Sequence, residues 1–240
     1  MHNIPTSRMK GTFRVGEKVL KEQVDSERTE VGLVEDMKVY KEDLNMHTLS
    51  PTIIDFYERT TGYRLFAKVK WRTWFKPFAF LYRIFSRKTQ QINLPLSSKQ
   101  VEMTGDIVPV LEEADGRHRP RAWVRKIGEE VCFIAIYSFH KTAERTYMNI
   151  GLPLPWSTMT GILELNQMGS NLSLSSKRLK SKDADSGTYL TVKHKRFKLP
   201  IEEYFLVEEV REGNLRATHK MWLFSIPFLT ITYRIVAKSS

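Results

Sequence analysis

The first regular pattern of apolar residues along the chain is that of a short amphipathic helix. Ser50-Pro51 is a typical helix start, because proline is tolerated in the first turn. Apolar residues with helical spacing follow at Ile53, Ile54, Phe56 and Tyr57. Thr61-Gly62 then provides a stop, since glycine readily adopts the left-handed conformation that ends helices. We therefore predict a helix from residue 51 to about residue 61.

A second helix is predicted after residues 63–71, which have the composition of an extended strand. Within residues 74–88, four large apolar residues fall on one face of a helix: Trp74, Phe78, Leu81 and Phe85. Pro77 fits this helix only if it lies near the first turn.

The remainder of the chain, from residue 90 to residue 236, has the pattern of strands and tight turns. Segments rich in β-branched and aromatic residues recur, at residues 91–94, 101–108, 121–127, 131–140, 145–152, 159–167, 172–179, 189–199, 204–210, 215–224 and 228–236. Connectors such as Gly128-Glu129 and Glu212-Gly213-Asn214 are typical of hairpins. Short connectors make neighbouring strands antiparallel. We predict a β-dominated α+β protein, in which one or two helices (residues 51–88) precede a large, curved antiparallel sheet or barrel-like meander.

The first 48 residues differ from the rest, because they are rich in both acidic and basic residues and have no sustained apolar period. We predict a loosely held, charged extension at residues 1–48 and a single domain at residues 49–240. No apolar run approaches the length needed to span a bilayer, and the N-terminus lacks the apolar core of a secretory signal. These features favour the cytoplasm, either free or at a membrane surface.

The net charge of +11 comes almost entirely from one segment. Residues 59–101 contain ten lysines and arginines and no aspartate or glutamate, and nine aromatic residues are interspersed among them. This composition is typical of segments that lie on anionic membranes. It also suits single-stranded nucleic acid, whose bases stack on aromatic rings. A third interpretation is a core helix whose basic side chains extend to its edges.

A second basic cluster, at residues 193–198, precedes an acidic one at residues 202–212. The corner at Leu199-Pro200 separates them, and we expect the two clusters to pair across neighbouring strands.

The chain carries none of the common catalytic or nucleotide-binding motifs, such as a glycine-rich phosphate loop or a G-x-S-x-G elbow. Its six histidines lack the spacing of metal ligands, so we expect neither a metal nor another cofactor. His140 and His219 are the candidate catalytic residues, because each borders an apolar strand, although histidines in such places are more commonly structural. Cys132 has apolar neighbours and is predicted to be a buried structural residue.

Two stretches combine large apolar residues with prolines, at residues 151–156 and 221–228. Proline is found at strand ends and bends, so Trp156 and Trp222 are predicted to lie at a barrel rim. There they would line the mouth of a cavity or plug the barrel.

Four runs in this chain resemble an uncharacterised family of bacterial hypothetical proteins that has no established activity. The runs are at residues 55–61, 74–78, 90–95 and 219–222, and the resemblance covers about residues 50–236. It implies no catalytic residue and no cofactor.

These features favour a non-enzymatic binding module with an apolar cavity. Its partner would be an amphipathic small molecule or an anionic membrane surface, contacted through the basic aromatic segment 59–101. The predicted contact residues are Trp71, Trp74, Lys76, Phe78, Arg83, Arg87, Lys88, Trp156 and Trp222. The alternatives are an enzyme that acts on such a ligand, with His140 or His219 as its base, and a nucleic-acid or protein-interaction domain that uses the same basic segment.

Overall fold

The structure is a computed structural model. It describes residues 24–89, 91–154, 157–177, 184–193 and 195–238, with only the backbone for residues 83–89, 114 and 115. Three α-helices lie in these ranges: α1 (Pro51–Glu58), α2 (Lys76–Thr89) and the short α3 (Glu112–Asp115). The Ser50 hydroxyl caps α1 and Pro51 occupies its first turn, as predicted.

Twelve strands follow one another with few interruptions in the described chain. They are β1 (Tyr63–Trp71), β2 (Gln100–Pro109), β3 (Arg121–Ile127), β4 (Glu130–Lys141), β5 (Thr146–Leu154), β6 (Ser157–Met168), β7 (Asn171–Ser175), β8 (Gly187–Val192), β9 (Lys195–Leu199), β10 (Ile201–Arg211), β11 (Asn214–Leu223) and β12 (Ile226–Ala237). All their pairings are antiparallel. The predicted β-dominated α+β fold is confirmed.

Ten of the strands form a closed barrel. Their order is β5-β4-β3-β2-β1-β12-β11-β10-β7-β6, and pairing of β5 with β6 closes the ring. The hairpin of β8 and β9 branches from β6, because β6 pairs with β7 near one end and with β8 near the other. Side chains alternate along β1, where Leu65, Ala67 and Val69 are buried and Lys68 and Lys70 are exposed.

The barrel has two different ends. At one end, the α1 end, α1 buries Ile53, Phe56 and Tyr57. At the other, the Trp71 end, β1 finishes at Trp71 and the hairpin of β11 and β12 turns at Phe224-Ser225.

One stretch of the barrel wall is closed by a side chain where a strand pair is missing. The ladder between β4 and β5 ends at Ile136 and Gly151, so the backbone of Ile134 has no partner on that side. The Gln91 amide fills the gap: its Nε2 donates to the carbonyls of Ile134 and Pro153, both at 2.9 Å, and its Oε1 accepts from the Ile134 amide at 3.0 Å. The predicted strand at residues 91–94 is therefore absent as a strand, and the segment seals the wall.

The N-terminal segment contributes to the core over part of its length. Leu33, Met37, Tyr40 and Leu44 are buried in the same cluster as the barrel interior. Residues 33–48, which the sequence analysis assigned to a charged extension, thus pack on the domain at residues 49–240. These four residues have the spacing i, i+4, i+7 and i+11 of a helix face, and the structure forms a short 3₁₀ helix at Met37–Tyr40 within them. The high density of charged residues in the segment hid this pattern.

The carboxylate of Glu209 ties α1 to the barrel. It accepts hydrogen bonds from the hydroxyls of Ser50 at 2.6 Å and Thr52 at 2.5 Å, and these bonds hold its pKa below the ordinary value. A carboxyl with a lowered pKa in the folded state stabilises the fold above its ordinary pKa, and that contribution disappears as the pH falls through the folded-state pKa. Glu209→Gln should therefore lose less stability than the parent chain on acidification below about pH 5.

Urea unfolding at a series of pH values checks this expectation, with Glu129→Gln as the control because Glu129 is exposed in a hairpin turn. Parallel stability profiles for the parent chain and Glu209→Gln would contradict it.

Candidate functional site

The barrel encloses a cavity of about 110 Å³. Its wall is mostly apolar and includes Phe56 and Tyr57 of α1 together with residues from strands around the ring. Four methionines contribute to the lining: Met103, Met148, Met159 and Met221. A cavity of this size can hold a benzene-sized apolar group, and methionine side chains adapt readily to what they contact.

An arginine faces this apolar interior from β3. Arg125 lines the cavity and has only 7% of its surface exposed. Its guanidinium carbon lies 4.5 Å from the ring centre of Trp123 and 4.1 Å from that of Phe133. An aromatic ring stabilises a cation that lies over its face at such a distance. The indole of Trp123 is itself held close to Gly105, where an added Cβ would lie 2.5 Å from the indole nitrogen.

Two tyrosines lie near Arg125. The guanidinium lies close enough to Tyr233 to lower the pKa of its phenol. Burial raises the pKa of Tyr137 to about 12, and it also raises the pKa of Tyr233, which Arg125 partly offsets. Both phenols therefore keep their protons at neutral pH and can donate hydrogen bonds into the cavity.

His219 and Glu203 form a polar pair on the wall made by β10 and β11. Nε2 of His219 lies 3.0 Å from a carboxylate oxygen of Glu203, and the ring stacks on Phe205 with 3.8 Å between ring centres. Because a carboxylate only accepts, the imidazole donates from Nε2, which leaves Nδ1 as the acceptor of the neutral ring. The candidate His219 thus faces the cavity with its orientation fixed.

The other candidate histidine, His140, lies on the opposite face of the sheet. Its ring nitrogens are 2.9 Å from Oδ1 of Asn149 and 3.2 Å from Oδ2 of Asp185, and its ring stacks on Tyr147. Glu164, Arg145 and Ser186 extend this polar network outside the barrel. The structure therefore does not bring His140 and His219 together.

Aromatic residues at the Trp71 end form a packed cluster. Trp71 stacks on Phe75 with ring centres 5.7 Å apart, and Phe75 lies 4.6 Å from Phe228. The indole of Trp71 donates to the Pro95 carbonyl and that of Trp74 to the Pro227 carbonyl, both at 3.0 Å. Trp71 is buried here, so this predicted contact residue belongs to the core of the barrel end.

Large apolar side chains beside this cluster are exposed. On the described part of α2, Phe78 is 59% exposed, and Phe80 and Leu81 are similarly open. On the neighbouring hairpin tip, Phe224 is 72% exposed and Ile226 is 54% exposed. The interpretation of α2 as a core helix is therefore wrong for Phe78–Tyr82, since Ala79 alone is buried within that turn.

Six of the ten cations of the basic segment fall into two groups. Near the α1 end, Arg59 pairs with Asp55 and Arg64 pairs with Glu102. Toward the Trp71 end, no ion pair joins an acidic residue to Lys68, Lys70, Arg72 or Lys76 within the described chain, and all four are exposed. Exposed positive charge thus accumulates beside the exposed aromatic residues.

The second basic cluster lies at this same end. β9 pairs with β8 and runs directly into β10 in the same direction, so the basic residues of β9 do not face the acidic residues of β10. The expected cross-strand pairing of the two clusters is therefore wrong. Glu208 pairs instead with Arg216, and Glu202 with Lys177.

The remaining predicted contact residues differ in what the structure describes. Lys76 is exposed at the start of α2, and Trp222 is partly buried on the outer face of β11. Arg83, Arg87 and Lys88 lie on α2, where only the backbone is described, and Trp156 lies outside the described residues. Cys132 is buried as predicted, and burial raises the pKa of its thiol to about 11.

A second cavity, of about 240 Å³, lies at the α1 end between residues 33–40 and strands β3 and β4. Its charged residues already satisfy one another, because Arg121 pairs with Glu30 at 2.9 Å and Arg119 pairs with Glu35 at 2.5 Å.

Sequence reasoning missed Arg125, Glu203, Tyr137 and Tyr233. One signal for Arg125 was present, since it shares the strand phase of Trp123, two positions away. The alternation along β3 would place Arg125 inside the barrel only if the inner face of the strand were known. Ala122 and Val124 on the other face are buried as well, so burial does not distinguish the two faces.

The fold and site define a closed ten-stranded antiparallel barrel with a buried polar cluster in an apolar cavity. A Bacillus subtilis (strain 168) protein described as "Uncharacterized membrane protein YndJ" is 42% identical to this chain over 232 residues, which is 95% of this chain and 42% of that protein. This chain thus spans about two fifths of the length of that relative. The predicted resemblance to uncharacterised bacterial proteins is confirmed. No family model and no solved structure matches the chain.

The described residues bear on membranes and metals in two ways. No helix in this part of the chain is both long enough and apolar enough to cross a membrane. Nor does the described chain bring three histidine, cysteine, aspartate or glutamate side chains together as a set of metal ligands.

Proposed function

We propose that this chain is a binding module that contacts an anionic membrane surface with the Trp71 end of its barrel and holds an amphipathic molecule in the barrel cavity. The observation that carries the proposal is the coincidence at one barrel end of exposed aromatic residues and exposed cations, next to an apolar cavity. The description of the relative as a membrane protein agrees with it.

The exposed apolar groups supply one half of the membrane contact. Phe78, Phe224 and Ile226 belong to two elements that Trp74 and Phe75 join, through the Pro227 carbonyl and the Phe228 ring. Contiguous exposed apolar surface marks sites of contact with membranes or partners. Burying such side chains at the boundary between headgroups and acyl chains gains free energy that salt does not screen.

The exposed cations supply the other half. Lys68, Lys70, Arg72 and Lys76 lie on β1 and at the start of α2. Each lysine or arginine close to an anionic leaflet contributes about 1 kcal/mol. This surface chemistry also agrees with a cytoplasmic location, since the cytoplasmic leaflet carries the anionic lipids.

Co-sedimentation with vesicles tests the membrane contact. We expect binding to phosphatidylcholine vesicles that contain phosphatidylglycerol and much weaker binding to phosphatidylcholine alone. Changing both Arg72 and Lys76 to glutamine should weaken binding up to about 30-fold at low salt, because two contributions of about 1 kcal/mol disappear. The matched control changes Lys38 and Lys41, which are exposed at the α1 end, to glutamine.

A second double variant and its control test the apolar part of the membrane contact. Changing Phe224 and Ile226 to serine should remove the fraction of binding that survives high salt, whereas changing Met168 and Val210, exposed away from the Trp71 end, should not. Equal effects of both pairs would contradict the proposed orientation. Binding to single-stranded oligonucleotides but not to vesicles would favour the nucleic-acid alternative.

A second candidate function is an enzyme that acts on the same bound molecule, and one observation favours it. His219 faces the cavity and is held by Glu203, which is the arrangement of a general base oriented by a carboxylate. His219→Gln would then abolish turnover of a bound molecule without abolishing its binding.

A further inference from the structure

Arg125 is a buried cation that makes no direct ion pair with a described carboxylate. It is more than nine-tenths buried, and its Nε is buried without a hydrogen-bond partner. Among the residues that the structure describes, no carboxylate lies within ion-pair distance of it. Removing a guanidinium from water is costly unless its charge and its N–H groups are satisfied.

The contacts that Arg125 does make leave its edge available. Trp123 and Phe133 interact with the cation through their rings, and the Tyr233 phenol lies nearby. A guanidinium has five N–H donors in its plane, in a fork that matches a carboxylate. The protonated hydroxyl of Tyr137 is a further donor on the same cavity wall.

The one acidic residue that lines the cavity is already engaged. Glu203 accepts from His219 at 3.0 Å on the wall formed by β10 and β11. An anionic ligand at Arg125 would therefore share the cavity with a carboxylate that has its own partner.

We propose that Arg125 anchors the carboxylate of a medium-chain monocarboxylic acid inside the barrel. This inference rests on the proposed function, and it places the anionic group of the ligand in the cavity and not at the basic segment. A single cation with a planar fork suits a carboxylate better than a multiply charged phosphate. A medium-length alkyl chain is larger than the cavity of about 110 Å³, so the flexible methionines of the wall have to shift to admit it, and the chain would then lie against these methionines and the leucines beside them.

Calorimetric titration with octanoate and with 1-octanol as its uncharged match tests the inference. We expect the parent chain to bind octanoate more tightly than octanol. Arg125→Met should weaken octanoate binding about 10- to 100-fold, as expected when a charged hydrogen bond is removed, and should leave octanol binding unchanged. Because replacing a buried charge by an apolar side chain is often neutral or stabilising, this variant should fold, and octanol binding verifies that its cavity is intact.

Two further variants and a ligand series sharpen the test. Arg125→Lys keeps the charge but loses the fork, so its octanoate affinity should fall between those of the parent chain and Arg125→Met. Arg216→Met, at an exposed arginine on β11, is the matched control and should behave like the parent chain. Acetate should bind far more weakly than octanoate, and octanoate delivered in phosphatidylcholine vesicles distinguishes a membrane source from a soluble one.

The outcomes separate the inference from the proposed function. Binding of octanol but not octanoate, or unchanged octanoate affinity in Arg125→Met, would overturn the role of Arg125 and leave the apolar cavity as a binding site. Failure of both probes to bind would overturn the inference together with the cavity part of the proposed function, while vesicle co-sedimentation still judges the membrane contact.

Discussion

Replacing Gln91 by methionine is expected to lower the free energy of unfolding by about 3–5 kcal/mol, because three buried backbone groups lose their hydrogen bonds to the Gln91 side chain. Gln91 is 1% exposed, and its amide bonds the Ile134 amide, the Ile134 carbonyl and the Pro153 carbonyl. Methionine has a similar volume but supplies none of these hydrogen bonds. Urea unfolding followed by circular dichroism measures the loss.

The matched control is Gln100→Met, since Gln100 is exposed at the start of β2. Exposed substitutions of this kind usually change stability by less than about 0.5 kcal/mol. A loss of under 1 kcal/mol for Gln91→Met would show that water replaces the amide in the gap between β4 and β5, and would contradict the sealing role.

The second large effect is expected at Gly32, which lies directly against the end of α1. A Cβ at this position would overlap the carbonyl group of Glu58 and lie 2.6 Å from the carbonyl oxygen of Tyr57. Both obstacles are backbone, so neither can rotate away. The segment is also hydrogen-bonded on both sides of the glycine: the Val34 amide donates to the Tyr57 carbonyl of α1, and the Thr61 amide, just beyond α1, donates to the Val31 carbonyl.

Gly32→Ala should therefore destabilise the chain by about 3 kcal/mol, as overpacked sites do. Gly62→Ala provides the comparison, because a Cβ there meets no atom within 4 Å. That substitution should be neutral or slightly stabilising, since alanine restricts the unfolded chain more than glycine does. Similar melting temperatures for the two variants would show that residues 31–34 can move off α1 without cost.

The elements that could be predicted from sequence are those whose signals are local. Ser50-Pro51 marked the start of α1 because capping depends on residues within one turn. Gly213 marked the turn between β10 and β11, where its φ of 70° favours glycine. The composition of residues 63–71 indicated an extended segment, and these residues form β1.

The misassigned elements depend on partners far away in the chain. Residues 91–94 have a strand-like composition, but Ile92 adopts a φ of 55° and Gln91 bonds two other strands. Residues 189–199 look like one strand, but a turn at Lys193, with a φ of 53°, divides them into β8 and β9. Neighbouring residues in the sequence indicate neither the conformation at Gln91 and Ile92 nor the turn at Lys193.

The candidate site was only half predictable for the same reason. His219 was identified because it borders an apolar strand, but its partner Glu203 comes from a cluster that appeared to be an ordinary solvated face. Arg125 meets Tyr233 from a strand more than 100 positions later, and β2 and β1 separate their two strands in the ring, so it is the curvature of the sheet that brings them together.

The seal made by Gln91 has a consequence for entry into the cavity. Five hydrogen bonds among described residues hold the segment at Gln91–Leu94 in the wall: three made by the Gln91 side-chain amide, one from the backbone amide of Asn93 to the Cys132 carbonyl, and one from the Asn93 side chain to Glu130. Behind it, Ile92 and Leu94 line the cavity directly. Displacing this segment would open a lateral entrance to the cavity, and all ten strand pairings of the ring would stay intact. The same segment follows α2 along the chain. If α2 lies on a membrane, this entrance to the cavity would therefore be next to the membrane surface.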